Sequence, residues 1–160
     1  MKFKLTLENI NKEMEKTVKK IAQVYYYIYT ATILTTIVGY MATMNNYDPI
    51  PMNDPLGITL KSIVILYMII SIPLALAGFH RQTKKIIAIE DEREKFKAYQ
   101  KSATIRLLLV GIGLIGSIIV FFLIRTDASL IYSALISAII LLFFCKPTEN
   151  KMINDLKLEE

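Results

Sequence analysis

Four long apolar runs that lack acidic and basic residues constrain this 160-residue chain more than any other feature of its sequence. About 18 or more such residues can cross the roughly 30 Å hydrocarbon core of a membrane as one helix. In lipid a helix satisfies its own backbone hydrogen bonds, and these runs do not alternate polar with apolar residues as the strands of a membrane barrel do. The runs are Ile21–Met44, Ser62–Phe79, Leu107–Ile124 and Ala128–Cys145.

The sequence therefore predicts an all-α fold, an integral membrane four-helix bundle with helical extensions in the cytoplasm. The first run is too long, and begins too late, for a secretory signal peptide. We expect one membrane domain over residues 1–160. Its expected parts are an amphipathic helix at 1–20, transmembrane helices at 21–44, 58–80, 107–124 and 128–145, an extracytoplasmic loop at 45–57, a helical segment at 81–106 and a cytoplasmic tail at 146–160.

The distribution of charge predicts the orientation. The chain has 19 Lys and Arg against 14 Asp and Glu, but the basic residues flank the apolar runs, so they indicate membrane topology and no nucleic-acid partner. With both termini in the cytoplasm, 17 of the 19 basic residues lie on the cytoplasmic side, where short loops concentrate them. We expect a multi-pass protein of a bacterial cytoplasmic (inner) membrane.

Two charged segments carry helical periodicity of their own. Residues 7–20 place apolar side chains three and four apart, which fits either a plain extension of the first transmembrane helix or a helix lying on the lipid surface. Residues 81–106 fit either a helical hairpin that turns around Ile89–Asp91, with Asp91 capping the second helix, or a segment on the membrane surface. The tail is expected to dock on these helices.

Small residues in the third and fourth runs predict close helix packing. The third run matches the G-x-G-x-x-G pattern, but a dinucleotide site needs that pattern between a strand and a helix of a soluble unit. Small residues four apart let two transmembrane helices approach closely, and we expect the third and fourth helices to pack through them. The predicted packing residues are Gly111, Gly113, Gly116, Ser117, Ser133 and Ser137.

No catalytic, cofactor or metal site is predicted. His80 and the nearby acids Glu90, Asp91, Glu92 and Glu94 lack the convergent spacing of a metal site, and the chain has no second histidine. Asp48 and Asp54 fit either a cation site or a solvated connector. Cys145 is the single cysteine, so no intrachain disulfide can form.

The sequence is compatible with three functions. We favour a non-enzymatic accessory or scaffold subunit that acts through helix–helix assembly, with the lipid bilayer and a second copy or another membrane protein as partners. The first alternative is a small oligomeric channel or transporter lined by the threonines of the first run. The second is a membrane enzyme that uses His80 and the nearby acids.

Overall fold

The computed structural model describes residues 7–45, 48–51, 53–124 and 128–158. Helices account for 88% of these residues and none of them lies in a strand, which confirms the all-α class. In chain order the helices are α1 (Leu7–Met44), α2 (Pro55–Ile87), α3 (Glu92–Ile124), α4 (Ala128–Phe144) and α5 (Glu149–Leu156).

Three of these helices, α1, α2 and α3, are long and apolar enough to cross a membrane. α4 has 17 residues, and only the pair of α4 and α5, bent by 78° at the break between them, reaches the same length and hydropathy. Within the described residues, helix length and composition thus support a membrane protein.

α1 continues without a break through residue 20, where the first apolar run was expected to begin. Buried side chains recur every three or four residues along its first half, at Met14, Thr17, Ile21, Tyr25 and Ile28. This spacing keeps them on one side of the helix. The N-terminal segment is therefore a plain extension of the first apolar helix, and not a separate surface helix.

α2 begins at Pro55, earlier than the predicted residue 58. Asp54 caps this helix, since its Oδ1 accepts a hydrogen bond from the Leu56 backbone N–H at 2.8 Å, and so the Asp54 carboxylate has a structural role. Pro55 occupies the first helical turn, where a missing N–H leaves no hydrogen bond unmade. Pro73 lies inside the helix, on its exposed side, and α2 continues past it to Ile87.

Residues 88–91 form the turn of a helical hairpin between α2 and α3. The Arg93 N–H donates to Asp91 Oδ1 at 3.0 Å, and the Lys95 N–H donates to the Asp91 carbonyl at 2.9 Å. Asp91 therefore caps α3 as predicted, because its side chain satisfies an amide that has no partner within the helix. Of the two expected arrangements for residues 81–106, the structure has the hairpin.

α3 is the central helix. In its most apolar window 44% of the residues are buried, against 17% for α1 and 22% for α2. It packs on α1, α2 and α4, and its buried side chains cover roughly half of its circumference at about 100° per residue. Among the described residues the backbone of α1 lies close to those of α3 and α5 and farther from those of α2 and α4.

The connection between α1 and α2 passes over the end of α3. The Ile50 N–H donates to the Leu123 carbonyl at 2.9 Å, which satisfies an acceptor in the last turn of α3. Gly57 lies beneath the same segment, where a Cβ atom would approach the Pro51 carbonyl oxygen to 2.9 Å. The connection thus separates α1 from α2 by the width of α3. Only three residues separate the third and fourth apolar runs, so the sequence predicts a tight turn at Asp127, which lies outside the described residues.

Candidate functional site

The predicted packing glycines face different neighbours. Gly111 faces α1, where a Cβ atom would lie 2.9 Å from Ile28 Cδ1. Gly113 faces α2, where a Cβ atom would clash with Met68 Sδ, whereas we expected α4 at this point. A Cβ atom at Gly116 would have no heavy atom within 4 Å apart from its own helix. Gly111 and Gly113 thus bring two different helices close to α3.

The predicted serines lie close to the same contact. Ser117 and Ser137 are fully buried, and Ser133 is half-buried. Their hydroxyls donate to their own helices, from Ser117 to the Gly113 carbonyl at 2.8 Å and from Ser133 to the Ser129 carbonyl at 2.8 Å. The Ser137 hydroxyl lies 3.0 Å from the Ser133 carbonyl and 3.3 Å from Met68 Sδ. Met68 therefore fills the space between α3 and α4 that small residues leave open.

The structure does not bring the candidate metal ligands together. His80 is exposed on α2, and Asp91 caps α3. Within residues 7–45, 48–51, 53–124 and 128–158, no group of three or more His, Cys, Asp or Glu side chains could hold a metal ion. Two of the threonine hydroxyls in the first run donate to their own helix, Thr32 to the Ile28 carbonyl and Thr36 to the Thr32 carbonyl.

A polar cluster that we did not predict lies where α2, α3 and α5 meet. We call it the Arg106 cluster, and it comprises Phe79 of α2, Tyr99, Ser102 and Arg106 of α3, and Lys151 and Asp155 of α5. Arg106 is only 6% exposed, although arginine is among the residues least often buried. Its Cζ lies 3.6 Å from the centroid of the Phe79 ring, in a cation–π contact.

Phe79 also contacts Tyr99. The two ring centroids are 5.7 Å apart and their planes meet at 68°, an edge-to-face arrangement that aromatic quadrupoles favour. Tyr99 and Arg106 are seven residues apart, or about two helical turns, so both lie on the same side of α3. One aromatic ring of α2 thus joins two positions of the central helix.

α5 docks on this cluster through both apolar and polar contacts. Met152 and Leu156 are almost fully buried in the main core. The Tyr99 hydroxyl donates to Asp155 Oδ2 at 2.9 Å. Burial and the adjacent Asp155 carboxylate raise the pKa of Tyr99 well above its ordinary value, because both disfavour a phenolate. The tail is therefore held on the helices, as we expected.

Lys151 gives the cluster a second cation. Its Nζ donates to the Phe144 carbonyl at the end of α4. Burial, with repulsion from Arg106, lowers the pKa of Lys151. The Asp155 carboxylate, which accepts the Tyr99 hydroxyl hydrogen bond, opposes this lowering of the Lys151 pKa.

Two polar atoms of the Arg106 cluster lack partners. Arg106 Nε and Ser102 Oγ are buried and have no hydrogen bond within the described residues. Sequence reasoning misses Arg106 because its position directly before the third run is typical of a charge that flanks a transmembrane helix. The signal was present, since the stripe of Phe96, Tyr99 and Ala103 continues at helical spacing to Arg106.

No family model matches the chain, and no curated protein or solved structure is significantly similar to it.

We expect Tyr99→Phe to weaken the docking of α5 on α3. The change removes a hydrogen bond to a carboxylate, an interaction worth about 1.5–3 kcal/mol, and leaves the shape of the ring almost unchanged. Hydrogen exchange should become faster in α5, and thermal stability in detergent should fall by a corresponding amount. The control is Tyr132→Phe, at a tyrosine that is 64% exposed on α4. Unchanged exchange in α5 would show that Tyr99 does not hold this helix.

The difference in stability between the parent protein and Tyr99→Phe is expected to depend on pH. Above about pH 10 a tyrosine in the unfolded chain ionises, whereas Tyr99 in the folded protein stays neutral because its pKa is raised. The stability that Tyr99 contributes is therefore fully present below pH 10 and declines as the pH rises further. The difference in stability between the parent and Tyr99→Phe should shrink over that range.

Proposed function

We propose that the protein crosses a bacterial cytoplasmic (inner) membrane four times, with both termini in the cytoplasm. The described basic residues other than Lys61 lie at or near the end formed by the first turns of α1, the hairpin between α2 and α3, and α5. α4 is about 26 Å long at 1.5 Å per residue, close to the thickness of the hydrocarbon core. The bend after α4 keeps the charged residues of α5 out of the lipid.

We further propose that it is a non-enzymatic accessory or scaffold subunit that acts by helix–helix assembly, with a second copy of this chain as its partner. The observation that carries the proposal is the position of α1. This helix packs on α3, with α5 beside it, and its backbone lies farther from α2 and α4 in the described residues, so that only 17% of its apolar window is buried.

Two apolar grooves flank the contact between α1 and α3. The larger, about 460 Å³, runs along Thr35 and Ala42 of α1, and the Phe122 ring of α3 packs against Gly39 between them. The second, about 410 Å³, lies between α1 and α4, and Ser117 of α3 contributes to its lining. Small residues along a groove allow a second helix to approach closely, which favours association in lipid.

The outer side of α1 carries a ridge that suits such a groove. Ile33, Ile37 and Met41 are four residues apart and are 58%, 50% and 58% exposed. Ridges of this spacing pack into the grooves of another helix. Because α1 carries both the ridge and one wall of each groove, two copies related by a twofold axis can each bury the ridge of the other.

Disulfide crosslinking in liposomes tests this assembly. Ile33→Cys should give a covalent dimer with a lipid-soluble oxidant, because α1 of each copy packs against α1 of the other and the two positions 33 then lie close to the twofold axis. Cysteine at Ile63 is the matched control, since Ile63 lies on α2 at a similar height along α3 and is 59% exposed, against 58% for Ile33. The native Cys145 is fully buried and provides the blank. Equal crosslinking at both positions, or none at Ile33, would contradict the proposal.

A further inference from the structure

We propose that Arg106, with Ser102 and Lys151, binds a phosphate group at the basic end of the helices. This site is independent of the proposed dimer, because its residues lie on α3 and α5 and not on the outer side of α1. The group has two sources, the headgroup of an anionic phospholipid or free inorganic phosphate, and both present the same oxygens to the same donors.

The burial of Arg106 and its unpaired Nε–H are the main support for this proposal. A guanidinium has five N–H donors and cannot lose its charge at ordinary pH. Burying such a charge is costly unless it is paired and hydrogen-bonded. Arg106 is 6% exposed, its Nε has no hydrogen-bond partner within the described residues, and the Phe79 ring offers the cation a π face. The Nε–H of Arg106 is therefore a buried donor that no described residue satisfies, as expected of a group that binds an anion.

The neighbouring residues specify the kind of anion. Ser102 is one helical turn before Arg106, and its buried Oγ also lacks a partner. Lys151 of α5 adds a second positive charge, and its ammonium donates to the Phe144 carbonyl and keeps two further N–H donors. Phosphate accepts several hydrogen bonds at once, and an arginine fork with a lysine and a hydroxyl is a donor set that suits it.

The position of the cluster also suits a lipid headgroup. Arg106 directly precedes the apolar stretch that begins at Leu107, and α5 packs beside it. In the proposed topology this is the level of the headgroups on the cytoplasmic side, where basic pockets between helices bind anionic lipids.

The experiment uses the full-length protein, purified in a neutral detergent, and follows its thermal unfolding. Phosphatidylglycerol is added in one arm, phosphatidylcholine in a second, and inorganic phosphate in a third. We expect phosphatidylglycerol, phosphate or both to raise the unfolding temperature of the parent, and phosphatidylcholine to have little effect. A response to phosphatidylglycerol alone identifies a headgroup site, and a response to phosphate alone identifies a site for the free anion.

Arg106→Gln should weaken anion binding, so that the anion concentration needed for half of the maximal stabilisation rises about tenfold or more. The reason is that the change removes charge-assisted hydrogen bonds. Arg81→Gln is its control, because Arg81 is exposed near the same end of α2. Lys151→Gln provides a second test should Arg106→Gln fail to fold, with the exposed Lys146→Gln as its control. An equal loss of response in variant and control, or no response of the parent to either anion, would overturn the proposal.

Discussion

Replacing Phe79 with alanine is expected to be among the most destabilising single changes in this protein, with a loss of about 3–5 kcal/mol. The ring is 8% exposed and contacts both Arg106 and Tyr99. Truncation would leave a cavity between α2 and α3 and remove the π face from a buried cation. The measurement is unfolding of the purified protein in detergent.

Two further variants separate the causes. Phe79→Leu retains much of the apolar volume but has no aromatic face, so we expect it to lose part of the stability, including about 0.5–2 kcal/mol for the cation–π contact. Phe143→Ala removes the same side chain from a position on α4 that is 75% exposed, and should change little. Similar losses of stability from Phe79→Ala and Phe143→Ala would show that the contacts of Phe79 with Arg106 and Tyr99 do not stabilise the protein.

Gly113→Leu is the second change with a large expected effect, a loss of about 1–3 kcal/mol from overpacking. Any side chain at this position meets Met68 Sδ. Met68 is flexible, but it is only 6% exposed and its sulfur lies 3.3 Å from the Ser137 hydroxyl, so it has little room to move. We therefore expect stability to fall from glycine through alanine to leucine without a change in membrane insertion.

The matched control is Ile112→Leu at the neighbouring residue, which is 56% exposed and should tolerate the change. A double-mutant cycle identifies the contact, because Gly113→Leu should cost less in a Met68→Ala background, where space has been made. Equal costs in the two backgrounds would show that Met68 is not the neighbour of Gly113.

Much of the local structure could be predicted from the sequence. Uncharged apolar runs and helical periodicity indicate helices directly, and the cap at Asp91 follows from residue type and spacing alone. The helix ends were less predictable. The charges that mark the ends of the apolar runs do not stop a helix, and α1, α2 and α3 all continue into charged segments because apolar stripes persist there.

The neighbours of each helix could not be predicted in the same way. Apolar runs of similar composition carry little information about which pairs will touch, so the contact of Gly113 with α2 and the separation of α1 from α4 emerge only in three dimensions. The Arg106 cluster was missed for a related reason. Position along the chain marks an arginine as a flanking charge, whereas its burial depends on α5 folding back onto α3.

The topology is tested most directly by labelling single cysteines with a membrane-impermeant maleimide in intact cells and after permeabilisation. Asp48→Cys and Lys97→Cys place exposed thiols at opposite ends of the helices, and the buried Cys145 leaves the parent protein as a blank. With four membrane crossings and cytoplasmic termini, the cysteine at 48 is labelled in intact cells and the cysteine at 97 only after permeabilisation. Labelling of the cysteine at 97 in intact cells would contradict this topology.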